Sequence, residues 1–134
     1  MLSRLDATRL GRSLLVAVAI SMIGCAMDVR RRPAAFQSRD PNVDAPSTRT
    51  TAPIRFRLPT GYERTIPAMT AFVEVGAIAE GKVLRPTSYV LTVEGRNVHE
   101  AYLVISGGRL IGFYLPFERA FTPLEQAVDI TLTN

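Results

Sequence analysis

The sequence predicts a mostly β fold, a small antiparallel sheet or sandwich built on a three-stranded meander over residues 87–115. Three observations predict it. Ile54-Arg-Phe-Arg-Leu58 alternates strictly between apolar and charged side chains, as a half-buried strand does. Residues 87–115 hold three apolar runs separated by Glu94-Gly-Arg-Asn97 and Ser106-Gly-Gly-Arg109, both hairpin-turn sequences. Residues 127–133 alternate again and align Val128, Ile130 and Leu132.

Taken in order, Ile54–Leu58 is the first strand, broken by Pro59-Thr-Gly61. Residues 65–81 carry two signals. Ala68, Phe72, Val75 and Ala79 recur at helical spacing, whereas Phe72-Val-Glu-Val75 is strand-like and Gly76 weakens a helix by about 1 kcal/mol. Strand is favoured, and an α+β arrangement with one short helix is the alternative. Thr87–Val93, Val98–Ile105 and Leu110–Leu115 form the meander, with Gly95 placed for a type II′ turn.

Two-residue loops at 95–96 and 107–108 would pair Tyr89 with Tyr102 and Tyr102 with Phe113. One face then collects Tyr89, Leu91, Val93, Val98, Tyr102, Val104, Ile111, Phe113 and Leu115. The other collects Val90 and Thr92 with His99, Ala101, Leu103, Ile105, Leu110 and Tyr114. Both faces are apolar, so the sheet needs two covers. Residues 54–58 and 127–133 supply one. The other is Pro116–Leu124 or a partner protein, which makes His99, Ala101, Leu103, Ile105, Leu110 and Tyr114 a candidate interaction face. Gly112 falls opposite Leu103 in this register and leaves room for it; the alternative is a bulge or close backbone approach.

The charge is uneven. The net +4 belongs to the first 52 residues, because residues 53–134 carry equal numbers of basic and acidic side chains. A neutral domain lacks the basic excess that nucleic acid selects, so no nucleic-acid partner is expected. The single cysteine, Cys25, excludes an internal disulfide and a CxxC site.

Arg9 and Arg12 precede the apolar run Leu14–Ile23. A basic segment followed by a short apolar one is a secretion signal; ten residues rise only about 15 Å as a helix, against the ~30 Å of a bilayer core. The run ends in Met22-Ile23-Gly24-Cys25, which resembles the lipobox of bacterial lipoproteins, with Met22 in place of the usual Leu. The resemblance covers residues 1–26 only. It implies that Cys25 is acylated and becomes the first residue of a chain held to the bilayer. Two or more acyl chains anchor stably. In that family an Asp after the Cys often marks inner-membrane retention; Ala26 stands here, so the periplasmic face of the outer membrane is expected.

The signal is thus 1–24, followed by Cys25 and a tether to residue 52, then a domain at 53–134. Residues 26–52 are rich in Arg, Asp, Pro, Ser and Thr without apolar periodicity, so they are expected to be disordered, with a reach of roughly 30 Å. Arg30, Arg31 and Arg32 form a membrane-proximal basic run that anionic headgroups would attract. Phe36 is the one aromatic residue able to dock the tail on a partner.

Chemistry is sparse. His99 is the only histidine, no G-x-S-x-G turn is present, and no multi-ligand metal spacing appears, so no catalytic residues, metal or cofactor are expected. Glu100 falls among apolar residues as a candidate buried acid, with Arg85, Arg109 or Arg119 as partners and an exposed rim position as the plain alternative. Three functional readings follow. The first is a non-catalytic interaction subunit of an envelope assembly, such as a secretion, conjugation, pilus or outer-membrane machine. The second is a periplasmic module binding a small ligand or inhibiting a foreign hydrolase. The third is an envelope hydrolase using Glu100 and His99.

Overall fold

The computed structural model describes residues 27–40 and 42–134. The expected signal and Cys25 lie outside them. Among the described residues every regular element is a strand and all pairing is antiparallel, so the fold is mostly β, without the alternative helix.

The strands are β1 (Arg32–Pro33), β2 (Gln37–Ser38), β3 (Ser47–Thr50), β4 (Ile54–Arg57), β5 (Glu63–Ile66), β6 (Ala71–Ile78) and β7 (Gly81–Pro86). They continue as β8 (Thr92–Glu94), β9 (Val98–Glu100), β10 (Tyr102–Ser106), β11 (Arg109–Leu115), β12 (Ala120–Asp129) and β13 (Leu132–Thr133). The main sheet runs β1-β12-β11-β10-β7-β6-β3-β13, with β2 also on β6. β13 follows two residues after β12, so the sheet curls until both its flanks meet one line of chain. β12 pairs with β11, and β13 pairs with β3 through Leu132 and Thr50. Two separate ribbons, β4-β5 and β8-β9, complete the fold.

The inner side of the curl is the main core. Phe72, Leu84, Leu103, Leu110, Phe113 and Leu115 pack there with Ile54, Phe56, Leu58, Ile66, Leu91 and Val93 from the two ribbons and their flanks. The strict alternation of residues 54–58 seats Ile54, Phe56 and Leu58 inward as expected, and Phe56 meets Phe113 with ring centroids 5.2 Å apart. Val128, Ile130 and Leu132 align on the same core, as their spacing predicts.

The meander over 87–115 is corrected. Residues 98–106 break at Ala101, whose N–H donates to the Leu91 carbonyl at 2.9 Å. Before the break β9 pairs with β8; after it β10 pairs with β7 and β11. Tyr102 faces Tyr114, and Leu103 faces Phe113. The register slips at Ile111, placing Gly112 opposite Val104. Gly112 marks a close approach rather than space for Leu103, because a Cβ there would sit 2.7 Å from the Phe121 ring and overlap the Thr122 carbonyl. Apolar residues on both faces left the alternation unable to fix the register. The Ser106–Arg109 turn does hold: Gly107 and Gly108 have φ of 59° and 71°, the geometry of a two-residue hairpin loop. The 94–98 turn has three loop residues, since Glu94 pairs with Val98.

The disordered tether is also corrected. Residues 27–40 form a strap across the outer side of the sheet, where Ile78, Val83, Val104, Tyr114 and Phe121 make a second apolar cluster. β1 pairs with β12 and β2 with β6, while Ala34 and Phe36 lie on the cluster. β3 then enters the main sheet beside β6. The expected second cover is thus the chain's own N-terminal segment. Phe117, expected to belong to that cover, is 82% exposed. Composition misleads here because the strap is ordered by backbone ladders and a few anchors, not by a continuous apolar stripe.

Candidate functional site

His99 lies at the junction of three segments. On β9 it pairs with Val93, whose side chain is buried, so the imidazole turns inward and is 5% exposed. The turn between β11 and β12 brings Glu118 to it, with Oε1 2.5 Å from Nδ1. The start of the strap brings Asp28, with Oδ1 3.4 Å from Nε2. A protonated imidazole donates to both carboxylates; a neutral one donates to only one. The arrangement therefore clamps the strap and the β11-β12 turn onto the β8-β9 ribbon.

The surroundings fit this clamp. Val29 is 5% exposed and its N–H donates to Asp28 Oδ1 at 3.0 Å. Gly95 lets the strap approach the ribbon, because a Cβ there would lie 2.8 Å from the Val29 nitrogen and 3.0 Å from the Met27 carbonyl oxygen. Ala34 N–H donates to the Arg119 carbonyl at 3.0 Å, and Arg119 takes a left-handed φ of 50°. Partial desolvation pushes the Asp28 carboxyl up, but the bonds from Val29 and His99 and the charges of Arg31 and His99 outweigh it and hold it below its ordinary value.

The candidate interaction face is corrected by burial. Ala101, Leu103 and Leu110 are fully buried in the main core, and Ile105 packs half-buried against it. Tyr114 is buried in the outer cluster beneath the strap, and His99 belongs to the clamp. These six residues share no open surface. Glu100 is half-buried rather than enclosed. It stands beside Tyr102, whose hydroxyl is pushed up first by desolvation and then by the Glu100 charge. The basic run divides. Arg30 and Arg31 are exposed, whereas Arg32 pairs with Glu80 at 3.2 Å and lies 4.9 Å over the Phe121 ring. Cys25 lies outside the described residues.

Asp28 and Glu118 were not foreseen. They stand 71 and 19 residues from His99, with no motif linking them. The only available signal was that the sole histidine must find partners if it is buried. No family model, no curated protein and no solved structure matches the chain.

Proposed function

We propose that the protein is an envelope lipoprotein, held through acylated Cys25 at the periplasmic face of the outer membrane. Its domain serves as a non-catalytic interaction subunit of an envelope assembly. The observation that carries this reading is the docking of the strap directly after the lipobox-like cysteine. Asp28 is clamped and Val29 is buried, so the chain is already packed against the domain three to four residues past the expected anchor. Such an anchor holds a domain at a fixed height, which suits a part that must present one surface to a neighbour. The non-catalytic role is supported by His99, since both ring nitrogens already face carboxylates.

With the former face buried, the surface for a partner moves to the β5 side of the domain. Tyr89 and Val90, 40% and 67% exposed, border a hollow lined also by Phe56, Ile66 and Pro67. Exposed apolar groups beside a concavity are candidates for recognition.

The test uses the full chain in a bacterial envelope. Cys25→Ser is expected to move the protein from the membrane fraction to the soluble one and to abolish the acyl mass. A photoreactive residue at Val90 in the lipidated protein is expected to capture one envelope protein repeatedly. Membrane retention of the unacylated Cys25→Ser protein would remove the anchor. An absence of capture, with a small ligand raising the melting temperature, would favour the ligand-binding reading instead.

A further inference from the structure

Three exposed apolar side chains each stand one residue from a member of the clamp. Met27 is beside Asp28, Val98 beside His99, and Phe117 beside Glu118, and they are 61%, 67% and 82% exposed. Exposed arginines accompany them: Arg30 and Arg31 on the strap, Arg96 in the turn that meets the strap at Gly95, and Arg119 next to Glu118. Of the nearby acids, Asp28 and Glu118 are engaged on His99 and Glu94 on Arg64, while Glu100 stands half-buried beside Tyr102. Single exposed apolar residues are ordinary on a protein surface, but their grouping around one junction with basic neighbours is not.

We propose that this end of the domain is a bilayer-seating surface, with Phe117 and Met27 entering the interface of an anionic membrane and the arginines contacting headgroup phosphates. The proposal rests on the lipoprotein reading. Two features identify the occupant as lipid. Cys25 precedes Met27 by two residues, which span at most about 7 Å, so an acylated Cys25 brings this end of the domain to the membrane. The mixture of an exposed aromatic residue, a methionine and arginines matches what the headgroup–acyl boundary accepts. The clamp then has a purpose beyond folding: it joins the anchored strap to the turn carrying Phe117, so the domain is held in one orientation.

The chain has no tryptophan, so F117W makes a single indole probe in the lipidated, full-length protein. Ser106→Trp is the control, because its turn lies at the opposite end of β11 from the β11-β12 turn. Both are reconstituted in vesicles of phosphatidylethanolamine and phosphatidylglycerol containing brominated acyl chains. Flotation and the mass of the Cys25 peptide are read in parallel. The expected result is flotation of both proteins, with F117W emission blue-shifted and quenched by bromolipid and S106W emission unaffected. Flotation with F117W emission unquenched would overturn the seating while leaving the anchor in place. An unacylated Cys25 and no flotation would overturn the anchor and the seating together. Where seating holds, replacing Arg30 and Arg31 with Glu reduces F117W quenching without releasing the protein.

Discussion

The Phe36 ring stacks on the Tyr114 ring, with centroids 5.0 Å apart and planes within 14°. This contact joins the strap to the outer side of the sheet, and Tyr102 tilts against the same Tyr114 ring at 6.5 Å. Burial raises the Tyr114 hydroxyl pKa, with the Arg119 charge opposing it.

Phe36→Ala is expected to lower stability by about 1–3 kcal/mol. That is less than the cost of deleting a fully buried Phe, because Phe36 is half-buried, and it includes the loss of an aromatic pair. The check is a urea melt, with a lower midpoint and an unchanged slope. An unchanged midpoint would mean that the strap lies outside the cooperative unit.

Gly76→Ala should lift the same strap from beneath. A Cβ at Gly76 would lie 2.6 Å from Phe36 Cζ and overlap the Gln37 carbonyl, so the strap must move or β6 must distort. The expected cost is about 1–3 kcal/mol. Combined with Phe36→Ala the two losses should be less than additive, since both report the same docking. Gly107→Ala is the contrast: nothing lies within 4 Å of its Cβ, and only the φ of 59° opposes it. It should cost about 1–2 kcal/mol without raising protease sensitivity of the strap.

These variants also show what the sequence could reveal. The alternations at Ile54–Leu58 and Val128–Leu132 and the Gly107-Gly108 turn were legible, because a two-residue period and a paired positive φ are local signals. That the sheet has two apolar sides was legible too. The identity of its second cover was not. A few apolar residues, Val29, Ala34 and Phe36, spaced through a charged segment carry no periodicity, and the glycine that admits Phe36 is 40 positions away. The one-residue difference in pairing at Tyr102 came from the bulge at Ile111, and Ala101 added a second surprise, since one apparent strand there serves two ladders. Of the site, only His99 stood out in the sequence, since its carboxylate partners come from remote segments.

Leu103→Glu and Tyr114→Glu should both unfold the protein or reduce it to an aggregating state. Leu103 is fully buried and Tyr114 is 4% exposed, so each substitution places a carboxylate among apolar groups without a partner. Circular dichroism with size exclusion checks this. Folded, monomeric variants that merely lose an association would restore these residues to an open interaction face and overturn the burial described above.

Docking of the strap should weaken in acid through Asp28. Desolvation raises its carboxyl pKa, but the Val29 N–H, the His99 ring and the Arg31 and His99 charges together set it below the ordinary value of 3.8. A depressed carboxyl favours the docked state above the ordinary value and loses that contribution as pH falls through the lowered one. Amide exchange at residues 29–32 should therefore stay slow, after correction for its intrinsic pH dependence, from neutrality down to about pH 4 and quicken below. Asp28→Asn should raise the corrected exchange at neutral pH and flatten its change with acid. Glu63 on β5 is also depressed, first by its bond from Arg57 and then by that residue's charge, so a site-resolved readout is essential. Loss confined to β4 and β5 would be the Arg57–Glu63 pair titrating, whereas loss at residues 29–32 that vanishes in Asp28→Asn would assign the acid response to the clamp.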